Sequence, residues 1–293
     1  MKFHGCGTAL VTPFTEAGSL DESALRALVG RQIEGGIDFL VPCGTTGESP
    51  TLGLEEHLRV VRITIEEADG KVPVLAGAGG YNTADVIELA KKVEQLGADG
   101  ILSVTPYYNK PTQEGLVQHY TAVSSAVRIP LIVYSVPGRT GVNVEAATIK
   151  RLSEIGNVTG IKEASGNIAQ IGRICAESQD DFTVLSGDDA LALAVLALGG
   201  QGLISVVSNV IPREMTDLVK AGLAGDFVRC RQIHRRWLLL MDAMFIESNP
   251  GPVKMAMAAM GLLKPVWRLP MVAPLPGSQK QLELILREGG LSV

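Results

Sequence analysis

Residues 158–167 read VTGIKEASGN, an apolar run that opens into a Gly-Asn turn and carries a lysine, Lys162, inside it. Burial of that lysine would penalise the ammonium form, so its pKa is expected to fall towards the neutral amine. A neutral amine condenses with a ketone or aldehyde to an imine, whose nitrogen withdraws electrons and stabilises an adjacent carbanion as an enamine. Such chemistry asks for no metal and no separate cofactor, but it does ask for a proton carrier. Tyr134, in PLIVYSV, offers a phenol one strand candidate away. GTTG at 44–47 adds two hydroxyls, Thr45 and Thr46, with glycine-exposed amides suited to holding a carboxylate. Arg139, in PGRTG, is a planar donor fork on a tight turn that can grip a second carboxylate. Taken singly, each residue has a plainer reading: a lysine that snorkels or pairs with Glu163, a tyrosine tethered in a core, a surface arginine.

These side chains meet only if the elements that carry them converge. Short apolar runs bounded by Gly or Pro begin at residues 7, 39, 72, 100, 130, 158, 182 and 202. Their spacing suits a βα unit of roughly 30 residues. The runs are continuous rather than alternating, which predicts strands buried on both faces. Between them lie helical stripes, such as Leu25, Leu28, Val29 and Ile33, or Val86, Leu89, Ala90, Val93 and Leu96. EGGIDFL, LGADGIL and LGGQGLI repeat one pattern, a glycine helix stop followed by a strand. The expected fold is therefore α/β, a (β/α)8 TIM barrel over residues 1–223. An open doubly wound sheet competes, but the first strand has no GxGxxG after it. AGAGG at 76–80 lacks the lysine of a phosphate loop and reads as a tight turn.

From residue 224 to 293 the strand signals stop, and the pattern predicts a C-terminal appendix of helices packed on the barrel. Pro252 suits the first turn of one of them. Met241, Met244, Met255, Met257 and Met260 are expected in a core or interface. In a parallel barrel the active site gathers at the carboxyl ends of the strands. CGTTGES, TPYYNKP, YSVPGRTG, Lys162 and SGDDA all fall there. Strand parity puts Gly160, Lys162 and Ala164 inside the barrel and turns Ile161 to the helices.

Composition limits what else the chain can do. Of 293 residues, 46% are hydrophobic and 19% charged, the balance of a folded protein and not of a disordered one. A net charge of -5 leaves no field to gather nucleic acid or anionic lipid. The one basic stretch, Arg229, Arg231, His234, Arg235 and Arg236, is expected on a solvated or subunit-facing helix surface. Cys6, Cys43, Cys175 and Cys230 lie far apart with no CxxC, so free thiols in a reducing cytoplasm are expected. No apolar leader and no run of ~18 apolar residues is present, which predicts a soluble, untargeted protein with no membrane partner.

Taken together, GTALVTPF, GTTGES, TPYYNKP, YSVPGRTG, GIKEASGN, LSGDDA, ISVVSN and NPGPVKMAMAAMGL, in this order, resemble the pyruvate-dependent class I aldolases. Within them the likeness is to the dihydrodipicolinate synthases, and it runs nearly end to end. The resemblance implies a Schiff-base enzyme that condenses pyruvate with L-aspartate 4-semialdehyde to 4-hydroxy-tetrahydrodipicolinate, on the path to lysine and diaminopimelate. Lys162 would form the imine with pyruvate, and Tyr134, Thr45 and Tyr108 would relay protons, Tyr108 being lent by a neighbouring subunit. Thr45 and Thr46 would hold the pyruvate carboxylate, backbone groups at Gly187 and Ile204 would line the pocket, and Arg139 would receive the carboxylate of the semialdehyde. A homodimer is then required, and a homotetramer built as a dimer of dimers is implied.

Two departures stand out. The family commonly has Asn where this chain has Ser135, a side chain that parity turns away from Lys162. Lysine-inhibited members carry a histidine and an asparagine where this sequence has Leu54 and Tyr81, although Ser49, His57 and Tyr107 remain. Feedback inhibition by lysine is therefore expected to be weak or lost. N-acetylneuraminate lyases and sugar-acid aldolases share the imine lysine and the tyrosine, but not typically the GTTGES, PGRTG and SGDDA combination. A non-catalytic paralogue would be expected to lose Lys162 or its partners.

Overall fold

In the computed structural model, which describes residues 3–293, every one of the apolar runs is a strand. They are β1 Gly5–Ala9, β2 Phe39–Val41, β3 Leu75–Gly77, β4 Gly100–Val104, β5 Leu131–Ser135, β6 Val158–Glu163, β7 Thr183–Ser186 and β8 Gly202–Ser205. All pair in parallel, in the order β2-β1-β8-β7-β6-β5-β4-β3. Between β2 and β3 a parallel bridge joins Leu40 to Val74, and Leu40 N and Gly77 N donate to Pro73 O at 3.0 Å and Pro42 O at 2.9 Å. The sheet thus closes into the TIM barrel that the spacing of the runs anticipates.

Closure divides the apolar residues between two cores. Ile101, Val133, Ile161, Val184 and Leu203 point outward into the large cluster shared with the helices. Phe39, Leu75, Leu102, Ile132, Tyr134, Leu185 and Ile204 fill the barrel interior. The interior is narrow, so large rings face glycines. A Cβ on Gly7 would lie 2.1 Å from the Phe39 ring, and one on Gly100 would lie 2.5 Å from Phe3. Phe3 and Phe39 meet edge to face at 5.5 Å between ring centroids, and together they fill this end of the barrel.

Local chemistry sets the ends of the intervening helices. Asp21, Asn82, Thr112 and Asn167 each accept a backbone N–H from the first turn of the helices Glu22–Glu34, Thr83–Gln95, Gln113–Ala126 and Ile168–Glu177. Gly36, Gly97 and Gly199, the glycines of the repeated stop pattern, all have positive φ, at 80°, 91° and 97°, where a side chain is costly.

The C-terminal part is helical: Phe227–Ala243, Gly251–Ala259 with Pro252 in its first turn, and Pro276–Glu288. The first of these packs on the barrel helix Pro212–Leu223. Met241, Met244 and Met257 are buried in the large cluster, with Met255 and Met260 packed against it. All four cysteines are free. Among the described residues no helix is long and apolar enough to cross a membrane.

Candidate active site

Strand β6 places Lys162 inside the barrel because the chain alternates: Ile161 is fully buried among the helices, and Lys162 lies on the opposite face. The side chain is only 5% exposed. In β5, Tyr134 is in register with Lys162, and Nζ sits 4.3 Å from the centre of its ring. Among the described residues no carboxylate lies within ion-pairing distance of Lys162. The adjacent Glu163 points the other way: Ser165 N and Gln170 Nε2 donate to it at 3.0 and 2.9 Å, and burial raises its pKa. Pairing of Lys162 with Glu163, one of the plainer readings, is therefore not what the fold does.

Room for the lysine comes from Gly187, after β7. A Cβ there would lie 2.6 Å from the Ala164 Cβ and 3.2 Å from the Lys162 Cε. Ile204, in β8, belongs to the barrel-interior cluster with Tyr134. Ser135 is turned outward and accepts a hydrogen bond from Val144 N at 3.3 Å, as parity requires.

The turn after β2 carries the two threonines. Glu48 N donates to Thr45 O and Gly47 N to Gly44 O, both at 3.1 Å, which folds residues 44–48 back on themselves. Gly47 fits because a Cβ would press on backbone atoms of Cys43 and Leu10 at 3.1 Å. Thr45 faces a cavity of about 400 Å³ that Tyr134, Arg139, Val104 and Val136 also line. Thr46 is buried, and its Oγ1 accepts from Asn249 Nδ2 at 3.0 Å, which leaves the hydroxyl hydrogen to donate elsewhere. Arg139 lies in the short helix Pro137–Thr140, and its Nη2 donates to the backbone oxygen of Asn249 at 3.0 Å.

The same cavity extends to Ser49, Leu54, His57 and Tyr107. Burial lowers the His57 pKa, and its Nε2 bonds Gly77 O at 2.8 Å. Tyr81 stacks edge to face on Tyr107 at 5.4 Å. Tyr108 is not part of the constellation within one chain. It stands 91% exposed, with φ at 70°, a left-handed conformation uncommon for a non-glycine residue.

The fold thus brings an inward lysine under a tyrosine ring, a two-threonine turn and an arginine to one end of the barrel. The family model that matches residues 2–288 is that of the dihydrodipicolinate synthetase family. The chain belongs to this family. A 4-hydroxy-tetrahydrodipicolinate synthase of Koribacter versatilis is 54% identical over 292 residues, covering 99% of this chain and 97% of the relative. Among solved structures, dihydrodipicolinate synthase from Aquifex aeolicus superposes with a TM-score of 0.97 at 42% identity, covering 99% of each chain. A chloride-inhibited dihydrodipicolinate synthase from Acinetobacter baumannii, complexed with pyruvate, gives 0.98 at 41% identity, covering 99% of this chain and 100% of that one.

Beyond the residues legible in the sequence, the fold brings in two that were quoted within motifs but given no role. Asn249, from NPGP, ties Thr46 with its amide and Arg139 with its carbonyl. Asp189, from SGDDA, fixes the end of β8: Ser205 Oγ donates to Oδ1 at 2.5 Å, and Val206 N and Val207 N donate to Oδ2 at 3.0 and 3.1 Å. Burial pushes its pKa up to about 6 against the pull of those three donors. Nothing local in the sequence marks Asp189, whose side-chain partners lie 16 to 18 residues further on. Nor is Asn249 marked, since its partners lie more than a hundred residues away.

Proposed function

We propose that the chain is a 4-hydroxy-tetrahydrodipicolinate synthase that joins pyruvate to L-aspartate 4-semialdehyde through an imine on Lys162. The lysine amine adds to the C2 carbonyl of pyruvate, water leaves, and the imine nitrogen then acts as the electron sink that a cofactor would otherwise supply. Loss of a C3 proton gives the enamine, which attacks the aldehyde carbon. The amine of the semialdehyde displaces Lys162 by transimination, closing the ring and freeing the enzyme.

Tyr134 carries protons to and from the carbinolamine oxygen, since its ring lies against the amine. Thr45 joins the relay, and Thr45 and Thr46 hold the pyruvate carboxylate, Thr46 with the hydroxyl hydrogen that Asn249 leaves free. Backbone groups at Gly187 and Ile204 line the pyruvate pocket, and Arg139 receives the carboxylate of the semialdehyde. Tyr108, exposed and not among the residues lining the cavity of its own chain, completes the relay of a neighbouring subunit, so the working unit is at least a homodimer, and a homotetramer as a dimer of dimers.

The observation that carries this reading is the contrast between two buried lysines. Lys254 is fully buried and is matched by Glu48 at 2.6 Å, whereas Lys162 has no counter-ion among the described residues and faces a tyrosine. Burying an unmatched amine costs stability, and such groups gather at functional sites.

Borohydride reduction with pyruvate should add one reduced pyruvate to Lys162, and Lys162→Ala should lose the adduct with its thermal midpoint nearly unchanged. Arg139→Ala should keep the adduct and need more than about tenfold as much semialdehyde for half-saturation. A parent protein that takes up no pyruvate under reduction would overturn the reading.

A further inference from the structure

The second buried lysine has a task of its own. Glu48, two residues after Thr46, has φ at 52°, a backbone position that glycine fills at no steric cost. The chain nevertheless puts a carboxylate there and buries it to 2% exposure. Oε1 accepts from Lys254 Nζ at 2.6 Å, and Oε2 from the backbone N of Arg268 at 3.3 Å. Both cations also lie over one ring, Phe14, with Lys254 Nζ at 4.3 Å and the Arg268 guanidinium at 4.2 Å from its centre.

The elements that supply these partners hold the rest of the turn as well. Asn249, just before the helix Gly251–Ala259, donates to Thr46, and the Arg268 side chain donates to Thr51 O at 3.0 Å and to both Glu56 oxygens at 2.7 and 2.6 Å. Thr12 Oγ1 donates to Gly47 O at 2.7 Å from the other side. Residues 46–51 are thus clamped at each end, and the Glu48–Lys254 ion pair in the clamp reaches across 206 residues of sequence. An apolar pair would stabilise the fold as well or better, because desolvating two charges offsets much of their attraction.

The geometry points to Glu48 and Lys254 as positioning residues for the keto acid: the pair fixes where the Thr45 and Thr46 hydroxyls stand, and so sets the affinity for the α-keto carboxylate. This rests on the imine reading of Lys162. It assigns to the C-terminal helices a part in substrate recognition, although no side chain from them need touch the reacting atoms.

The test is the double variant Glu48→Gln with Lys254→Met, which leaves no unmatched buried charge and keeps an acceptor for Arg268 N. The adduct formed with pyruvate and borohydride is measured against pyruvate concentration, alongside steady-state kinetics for both substrates. Half-saturating pyruvate should rise about tenfold or more, while half-saturating semialdehyde stays within about threefold of the parent. A purely structural pair would move the thermal midpoint and leave the pyruvate dependence within about twofold, and that result overturns the proposal. Should the double variant prove insoluble, Glu48→Gln with Lys254→Leu is read against the same limits, since that pair too leaves no unmatched buried charge. If the parent itself forms no adduct, it is the imine reading that has failed, and semialdehyde-independent pyruvate binding measured by calorimetry decides the role of the pair.

Discussion

Replacement of Gly187 by alanine separates space from backbone strain at the imine lysine. The residue has no positive φ, so a methyl group there costs only what it displaces. Carbon atoms in contact sit about 3.5–4.0 Å apart. The added Cβ would fall 2.6 Å from the Ala164 Cβ, 3.1 Å from Glu163 O and 3.2 Å from the Lys162 Cε. The segment cannot simply back away, because Gly187 N donates to Glu163 O at 2.7 Å. Something must move by about 1 Å, and the movable atoms are Ala164 and the end of Lys162.

Overpacking of this size costs roughly 1–3 kcal/mol of stability. For a chain of this length that lowers the thermal midpoint by about 2–4 °C for each kcal/mol. The effect on chemistry is larger, because a misplacement of about 1 Å at a reacting group can cost about a hundredfold in rate. The assay is the rate of adduct formation in a quenched borohydride series at fixed pyruvate, with Gly277→Ala as the control. A Cβ at Gly277 meets nothing within 4 Å. An alanine variant at 187 that forms the adduct within about twofold of the parental rate would refute the claim that this glycine makes room for the lysine.

Further outcomes follow from the same geometry. The Asp189 carboxyl, raised to about 6 by burial from a reference of 3.8, is more stably housed when protonated. Its contribution to stability is complete below about pH 3.8 and is lost as pH rises through about 6, a difference of about 3 kcal/mol. Asp189→Asn can keep the Val206 and Val207 hydrogen bonds on its oxygen and donate to Ser205, so urea titrations should show the parent gaining stability relative to this variant as pH falls from 7 to 4. A parallel pH dependence of the two proteins would remove Asp189 as the source. At the other end of the cavity Leu54 is 46% exposed, and Tyr81, packed on the cavity-lining Tyr107, is 56% exposed; neither offers the histidine or asparagine expected of lysine-inhibited members. Steady-state assays with added lysine should show little inhibition, and submillimolar potency would contradict this.

The strands, the helix stops and the inward direction of Lys162 were all legible in the sequence, for one reason: they depend on short-range periodicity. A period of two sends Ile161 and Lys162 to opposite sides wherever β6 is placed. Gly36, Gly97 and Gly199 end their helices because the left-handed turn they adopt is a local steric matter. The motifs at the strand ends were recognisable for the same reason, as contiguous residues.

What the sequence left undecided is how those ends are held once they meet. Asn249 joins the threonine turn to Arg139, and Lys254 neutralises Glu48, over separations of 203, 110 and 206 residues. No periodicity links such positions, and NPGPVKMAMAAMGL reads equally well as a helix packed for its methionines alone. The three-dimensional closure of the barrel, and the return of the C-terminal helices over its second loop, determine which polar atoms are buried together. The sequence specified an amine, two hydroxyls and a guanidinium on converging strands; only tertiary structure decided that one buried lysine would be paired with a carboxylate and the other left with a tyrosine, because burial and charge neutralisation are properties of the assembled core.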